Sequence, residues 1–185
     1  MKLYDQGQRI FAENRIAELI EKSAALPKDI QWHFIGHLQR KRVKSVIHIV
    51  DLIHAVDRVD LLDEIQKRSK ANSCVTRCLL QLKIAQEESK YGFNYDELMA
   101  LIESSALQTN YDHIRFDGLM GMATFTENQD LIRSEFKLLK QAYISCQSKL
   151  SDTTPFNTLS MGMSGDHIIA LEEGSTMLRI GSLLF

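Results

Sequence analysis

Short, near-continuous apolar runs alternate with amphipathic stretches along almost the whole chain, and this alternation limits the fold more than any single motif does. The clearest run is 75–84, VTRCLLQLKI, which reads as a strand covered on both faces. Further strand candidates are 8–13, 31–35, 52–56, 114–122, 157–161 and 176–179. Between them lie segments with helical spacing at 16–25, 41–50, 59–71, 95–104 and 128–150. Asp57 and Asn94 are placed to cap the helices that follow them. Strand–helix alternation implies parallel strands joined by right-handed crossovers. That leaves a doubly wound sheet or a (β/α)8 barrel.

No G-x-G-x-x-G follows the first strand, which argues against a dinucleotide-binding sheet. The last stretch, 155–185, points to the barrel. It reads as strand, a loop of Gly162, Met163, Ser164 and Gly165, a helix over 166–173, a stop at Gly174, a strand over 176–179, and a turn at Gly181-Ser182. Two Gly/Ser loops at successive strand ends, with a helix N-terminus beside them, offer backbone N–H groups to an anion. Ser160, Ser164, Ser182 and Arg179 add side-chain donors. A phosphate site after the last two strands is the habit of (β/α)8 barrels. The same residues also serve a chain that needs only turns and a capped helix.

We therefore expect an α/β chain forming one domain over 1–185, a (β/α)8 TIM-type barrel lacking the first strand and the last helix. The opening MKLYDQGQ reads as a helix end stopped by Gly7, and the chain ends just after a strand. Such an open barrel exposes strand edges and is expected to dimerise, aggregate or rearrange. A net charge of −2 gives no general attraction to nucleic acid. The basic cluster Arg40, Lys41, Arg42 and Lys44 reads as the solvated opening of a helix. No apolar run approaches a membrane span, and no secretory leader is legible, so a cytoplasmic protein is expected. Cys74, Cys78 and Cys146 lack C-x-x-C spacing and read as reduced thiols. His33 and His37 are four apart on a strand without the H-E-x-x-H glutamate; they read as hydrogen-bonded barrel histidines, and no metal site is expected.

Several motifs taken together resemble one family. WHFIGHLQ, LIHAVD, ESKYGF, GLMGMATF, LSMGMSGD and EEGSTMLRIGS occur in order over essentially the whole chain, and resemble the pyridoxal-phosphate (PLP) homeostasis proteins of the YggS/PROSC type. The resemblance implies an alanine-racemase-like barrel that binds PLP and buffers or delivers it, with PLP-dependent apo-enzymes as partners, rather than running an established reaction. It places the PLP phosphate on Ser160, Arg179, Gly181 and Ser182, with Gly162 and Met163 beside them. Asn14 matches a residue near the ring, and His37 a strand-end position. The family's cofactor-binding lysine lies in an A-V-S-K-like motif on a first strand that has no counterpart here, so no residue inherits that role. PLP is then expected to be held mainly through its phosphate.

Departures from the family pattern include Ala12, Lys41, Lys83 and Asp117. Lys83, at the end of an apolar strand, is the one substitute for the missing lysine. Asp117 would repel a phosphate if it stood beside one. Two alternatives accompany this expectation: a PLP-dependent racemase-like enzyme, and a truncated barrel that no longer binds the cofactor.

Overall fold

Val, Ile, Leu and Phe concentrate in segments too short for stable helices, and these segments pair side by side into one parallel sheet. The structure is a computed structural model that describes residues 2–87, 90–104, 107, 109–150 and 155–184. Its strands are β1 (Ile10–Glu13), β2 (Gln31–Phe34), β3 (Val50–Val56), β4 (Thr76–Gln81), β5 (Ile114–Met120), β6 (Thr158–Met163) and β7 (Met177–Arg179). The helices are α1 (Lys2–Asp5), α2 (Ile16–Ala25), α3 (Val43–Val46), α4 (Val59–Ala71), α5 (Tyr95–Glu103), α6 (Gln129–Lys149) and α7 (His167–Glu172). All six strand pairings are parallel and the spatial order is the chain order, β1 to β7. This is the (β/α)8 arrangement short of one strand, with β1 and β7 as its edges.

Two apolar layers result. Outward-facing strand residues, among them Trp32, Phe34, Ile53, Leu80, Phe116 and Leu159, meet Leu19, Leu61, Ile65, Leu98, Phe136 and Leu139 of the helices. Each fully buried side chain of this size contributes on the order of 2 kcal/mol. Inside the sheet's curve a smaller cluster holds Leu52, Ala55, Leu79 and Met120, with Met122 and Met177 against it. The interior also takes polar groups, and these build the site.

Several boundaries differ from the sequence expectation. The helix expected over 41–50 is instead a 3-10 turn, Arg40–Arg42, followed by the single turn of α3, and Val50 already belongs to β3. The β-branched residues Ile49 and Val50 favour an extended exit there. Asp57 does not cap α4; Arg58 occupies that position, and the Asp57 carboxylate is held by Arg58 and His37. Gly162 and Met163 are strand residues of β6, not loop residues. Met161 packs in the outer core. Gly7 and Gly174 do take left-handed conformations after α1 and α7, with φ of 97° and 87°. Of the ESKYGF motif, Glu88 and Ser89 lie outside the described residues.

Candidate functional site

Parallel strands in sequential order put all their C-terminal ends on one face, where the connecting loops gather. β6 and β7 end there in two Gly/Ser loops. A hydrogen bond from Gly181 N–H to Ser164 Oγ, 3.3 Å, joins the two. Asp166 shapes the first loop by accepting the Met163 N–H at 2.6 Å. Gly162 has φ 95°, and a Cβ there would meet Ala170 Cβ at 2.5 Å and Leu178 Cδ2 at 2.8 Å. Only glycine lets α7 lie this close to β6. Among the described residues, the backbone N–H groups of Ser164, Gly165 and Ser182 have no hydrogen-bond partner. They remain available to an anion at the strand ends.

Arg179 closes the cradle from below. Its Nη1 donates to Ser160 Oγ at 2.8 Å and its Nη2 to the Gly121 carbonyl at 2.9 Å. No carboxylate among the described residues pairs with it. Burial pulls its pKa down to about 10, with Asp166 opposing, so it is a cation at neutral pH with much of its charge uncompensated. A guanidinium without a carboxylate partner and free N–H groups in the loops after β6 and β7 are the donor types a phosphate takes. Ser160 is fully buried, at 0 % exposure. Its Oγ accepts from Arg179 and lies against His54 Nδ1.

The interior polar chain continues beyond Ser160. His54 Nδ1 lies 3.2 Å from Ser160 Oγ, and His54 Nε2 lies 3.0 Å from His33 Nδ1. Both histidines are buried. Burial, with Arg77 adding to it and Asp117 opposing, lowers His33 to about 4. His54 is lowered by burial first, then by His33 and Arg179. Asp117 forms ion pairs with Arg77 at 2.6 Å and Arg115 at 2.7 Å. It touches none of the cradle residues, so the repulsion expected of it is removed by two guanidinium groups.

The sequence expectation thus comes together only in part. Ser160, Gly162, Met163, Arg179, Gly181 and Ser182 gather at the ends of β6 and β7. Asn14 follows β1 at the opposite edge of the sheet, exposed, with Gly36 packed on its backbone so closely that a Cβ would meet the Asn14 carbonyl oxygen at 2.2 Å. His37 lies elsewhere, bonded to Asp57 at 3.0 Å and stacked on Tyr91 at 3.7 Å between ring centroids. It lines a cleft of about 410 Å³ with Asp57, Arg58, Lys83, Lys90, Tyr91 and Gly92. Among the described residues the Lys83 amine has no ion pair or hydrogen bond, and neither Glu87 nor Asp117 faces it.

His54, which contacts Ser160, was not among the expected site residues. Its signal was its inward register: Leu52 and His54 alternate with Ile53, and Leu52 belongs to the interior cluster. Among the described residues no group of three or more His, Cys, Asp or Glu is placed to hold a metal ion. No described helix is long and apolar enough to cross a membrane.

The sequence matches the family described as alanine racemase, N-terminal domain, over residues 1–185. It is 38% identical over 185 residues to the pyridoxal phosphate homeostasis protein of Aquifex aeolicus, covering 100% of this chain and 79% of that one. PipY of Synechococcus elongatus PCC7942, solved with PLP bound, superposes with a TM-score of 0.86 at 28% identity, covering 100% of this chain and 84% of the other. Alanine racemase of Clostridium difficile 630 superposes with a TM-score of 0.74 at 14% identity over 99% of this chain and 46% of that one, which shows a shared fold.

Proposed function

Because the chain belongs to the pyridoxal phosphate homeostasis protein family, within the alanine racemase N-terminal domain fold, we propose that it binds PLP and holds it mainly through the phosphate. The observation that carries this is the pairing of an Arg179 without a carboxylate partner with the free N–H groups of Ser164, Gly165 and Ser182. Those N–H groups and Arg179 would hold the anion. Gly181 and Ser182 shape one wall, Gly162 and Met163 the other, and Ser160 anchors the arginine. PLP would supply an electrophilic aldehyde; the chain's part is to bind, orient and release the molecule.

The likeness to a solved racemase is one of fold, at 14% identity, so a carrier role is better supported than amino-acid chemistry. Delivery to PLP-dependent apo-enzymes fits a cradle whose outer wall, Gly181 to Leu184, is exposed. Asn14 and His37 would act on the side of the mouth away from the phosphate. The free thiols Cys74, Cys78 and Cys146 fit a cytoplasmic setting.

The test is a PLP titration followed by visible absorbance, with inorganic phosphate as competitor. Saturable binding that phosphate competes away is expected, and Arg179→Ala should weaken it at least about tenfold. Borohydride treatment and peptide mapping then report whether Lys83 also attaches the aldehyde. Absence of saturable binding of both PLP and phosphate overturns the proposal.

A further inference from the structure

We propose that His54 and His33 are positioning residues: with Ser160 they form a one-directional hydrogen-bond relay through the barrel interior that fixes the Arg179 guanidinium beneath the cradle. That Arg179 meets PLP rests on the function proposed above; the direction of the relay does not.

The direction follows from a donor and acceptor count. A guanidinium can only donate. Arg179 Nη1 donates to Ser160 Oγ at 2.8 Å, so the serine's own proton goes to its other polar neighbour, His54 Nδ1, at 3.2 Å. His54 Nδ1 is then a bare acceptor, and a neutral imidazole with Nδ1 bare carries its proton on Nε2. That N–H points at His33 Nδ1, 3.0 Å away. His33 Nδ1 must also be bare, and His33 also carries its proton on Nε2. This arrangement satisfies every contact and gives the Ser160 proton an acceptor; the reverse one, with both rings protonated on Nδ1, makes the same contacts but strands that buried hydroxyl proton. A second proton on either ring would set two N–H donors, or a donor and the Ser160 hydroxyl proton, against each other.

Burial enforces this arrangement. Ser160, His54 and His33 are exposed by 0 %, 1 % and 3 %, so water cannot replace a lost partner. The charged groups facing the rings are Arg179 beside His54, and Arg77 and Asp117 beside His33; the two arginines disfavour a proton on the rings and Asp117 favours one. The relay has two consequences. The Ser160 hydroxyl is directed inward and gives no hydrogen bond to a ligand. The guanidinium is held at two points, Ser160 on β6 and the Gly121 carbonyl just after β5, which leaves Nε–H and one proton of each terminal nitrogen for the cradle.

Nitrogen-15 NMR of the full chain tests this without a ligand. His54 and His33 should both show a bare Nδ1 and a protonated Nε2, and the Arg179 Nη signals should be resolved because the guanidinium cannot rotate freely. Two substitutions separate the links. His54→Asn leaves an amide oxygen where Nδ1 was, so Ser160 keeps an acceptor. His54→Gln places its amide near the Nε2 position, so His33 keeps a donor but Ser160 loses its acceptor. His54→Asn should preserve the resolved Arg179 signals and PLP affinity within about twofold. His54→Gln should average those signals and weaken PLP binding on the order of tenfold. A protonated Nδ1 on His54, or identical behaviour of the two variants, overturns the relay. If the wild-type chain fails to bind PLP, the proposed function falls, and the NMR measurements alone decide the relay.

Discussion

At the residue scale, the buried histidines make stability depend on pH in a calculable direction. Folded His33 stays neutral down to about 4, whereas an exposed histidine takes a proton near 6.5. Below 6.5 the unfolded chain therefore binds more protons than the folded one, so the contribution is fully present above 6.5 and is lost as pH falls towards 4. The displacement corresponds to something on the order of 3 kcal/mol, and His54 adds to it in the same direction. Urea unfolding midpoints should fall steadily between about pH 7 and about pH 5, before carboxylates titrate. His33→Gln should flatten that slope, and an unchanged slope would show that the ring titrates freely in the folded state. A second residue-scale outcome concerns Gly162. Alanine there is strained at φ 95° and collides with Ala170 and Leu178, so it should cost about 2 kcal/mol and weaken PLP binding, read by thermal melting and titration.

At the element scale, local chemistry set the helices that could be recognised from sequence. Asn94 accepts the Glu97 N–H at 2.8 Å while the Glu97 carboxylate accepts the Asn94 N–H at 3.0 Å, a complete capping box at the start of α5. Asn94→Ala should therefore cost about 1 kcal/mol in denaturant unfolding, with PLP affinity unchanged because the cap contacts no cradle residue. Asn128 caps α6 in the same way, through the Leu131 N–H at 3.1 Å. Signals of this kind lie within four residues of each other and are visible in the chain itself. The misjudged elements depended on distant partners. Arg58 adjoins Asp57, but nothing near them announces that His37, 20 residues away, also holds the carboxylate, and nothing in 41–50 announces that Val50 pairs with Trp32. That the Gly/Ser loops after β6 and β7 come together was legible because their residues are close in sequence. The relay beneath them was not, because Ser160 and His54 are 106 residues apart.

At the scale of the whole molecule, the sheet has two ends, and neither β1 nor β7 has a second strand partner among the described residues. On β1, Ile10 is 43% exposed and Ala12, which is in register with buried His33, is also exposed. Beyond β7, Leu183 and Leu184 are more than half exposed. An edge that combines unpaired backbone groups with exposed apolar side chains is a template for pairing with another chain. The 185-residue chain should therefore associate with itself as concentration rises, through the β1 edge. Light scattering coupled to size exclusion, across a dilution series from about 100 to about 1 micromolar, should show mass shifting from dimer or larger species towards monomer. Ile10→Lys places a charge on the edge, where a cation opposes pairing, and should shift that series towards monomer. The same variant should leave PLP affinity within about twofold, because Ile10 lies at the N-terminal end of β1 and the cradle lies at the C-terminal ends of β6 and β7. A monomer at every concentration would show that the edge is covered by its own chain. Loss of PLP binding on dilution would show that association completes the site.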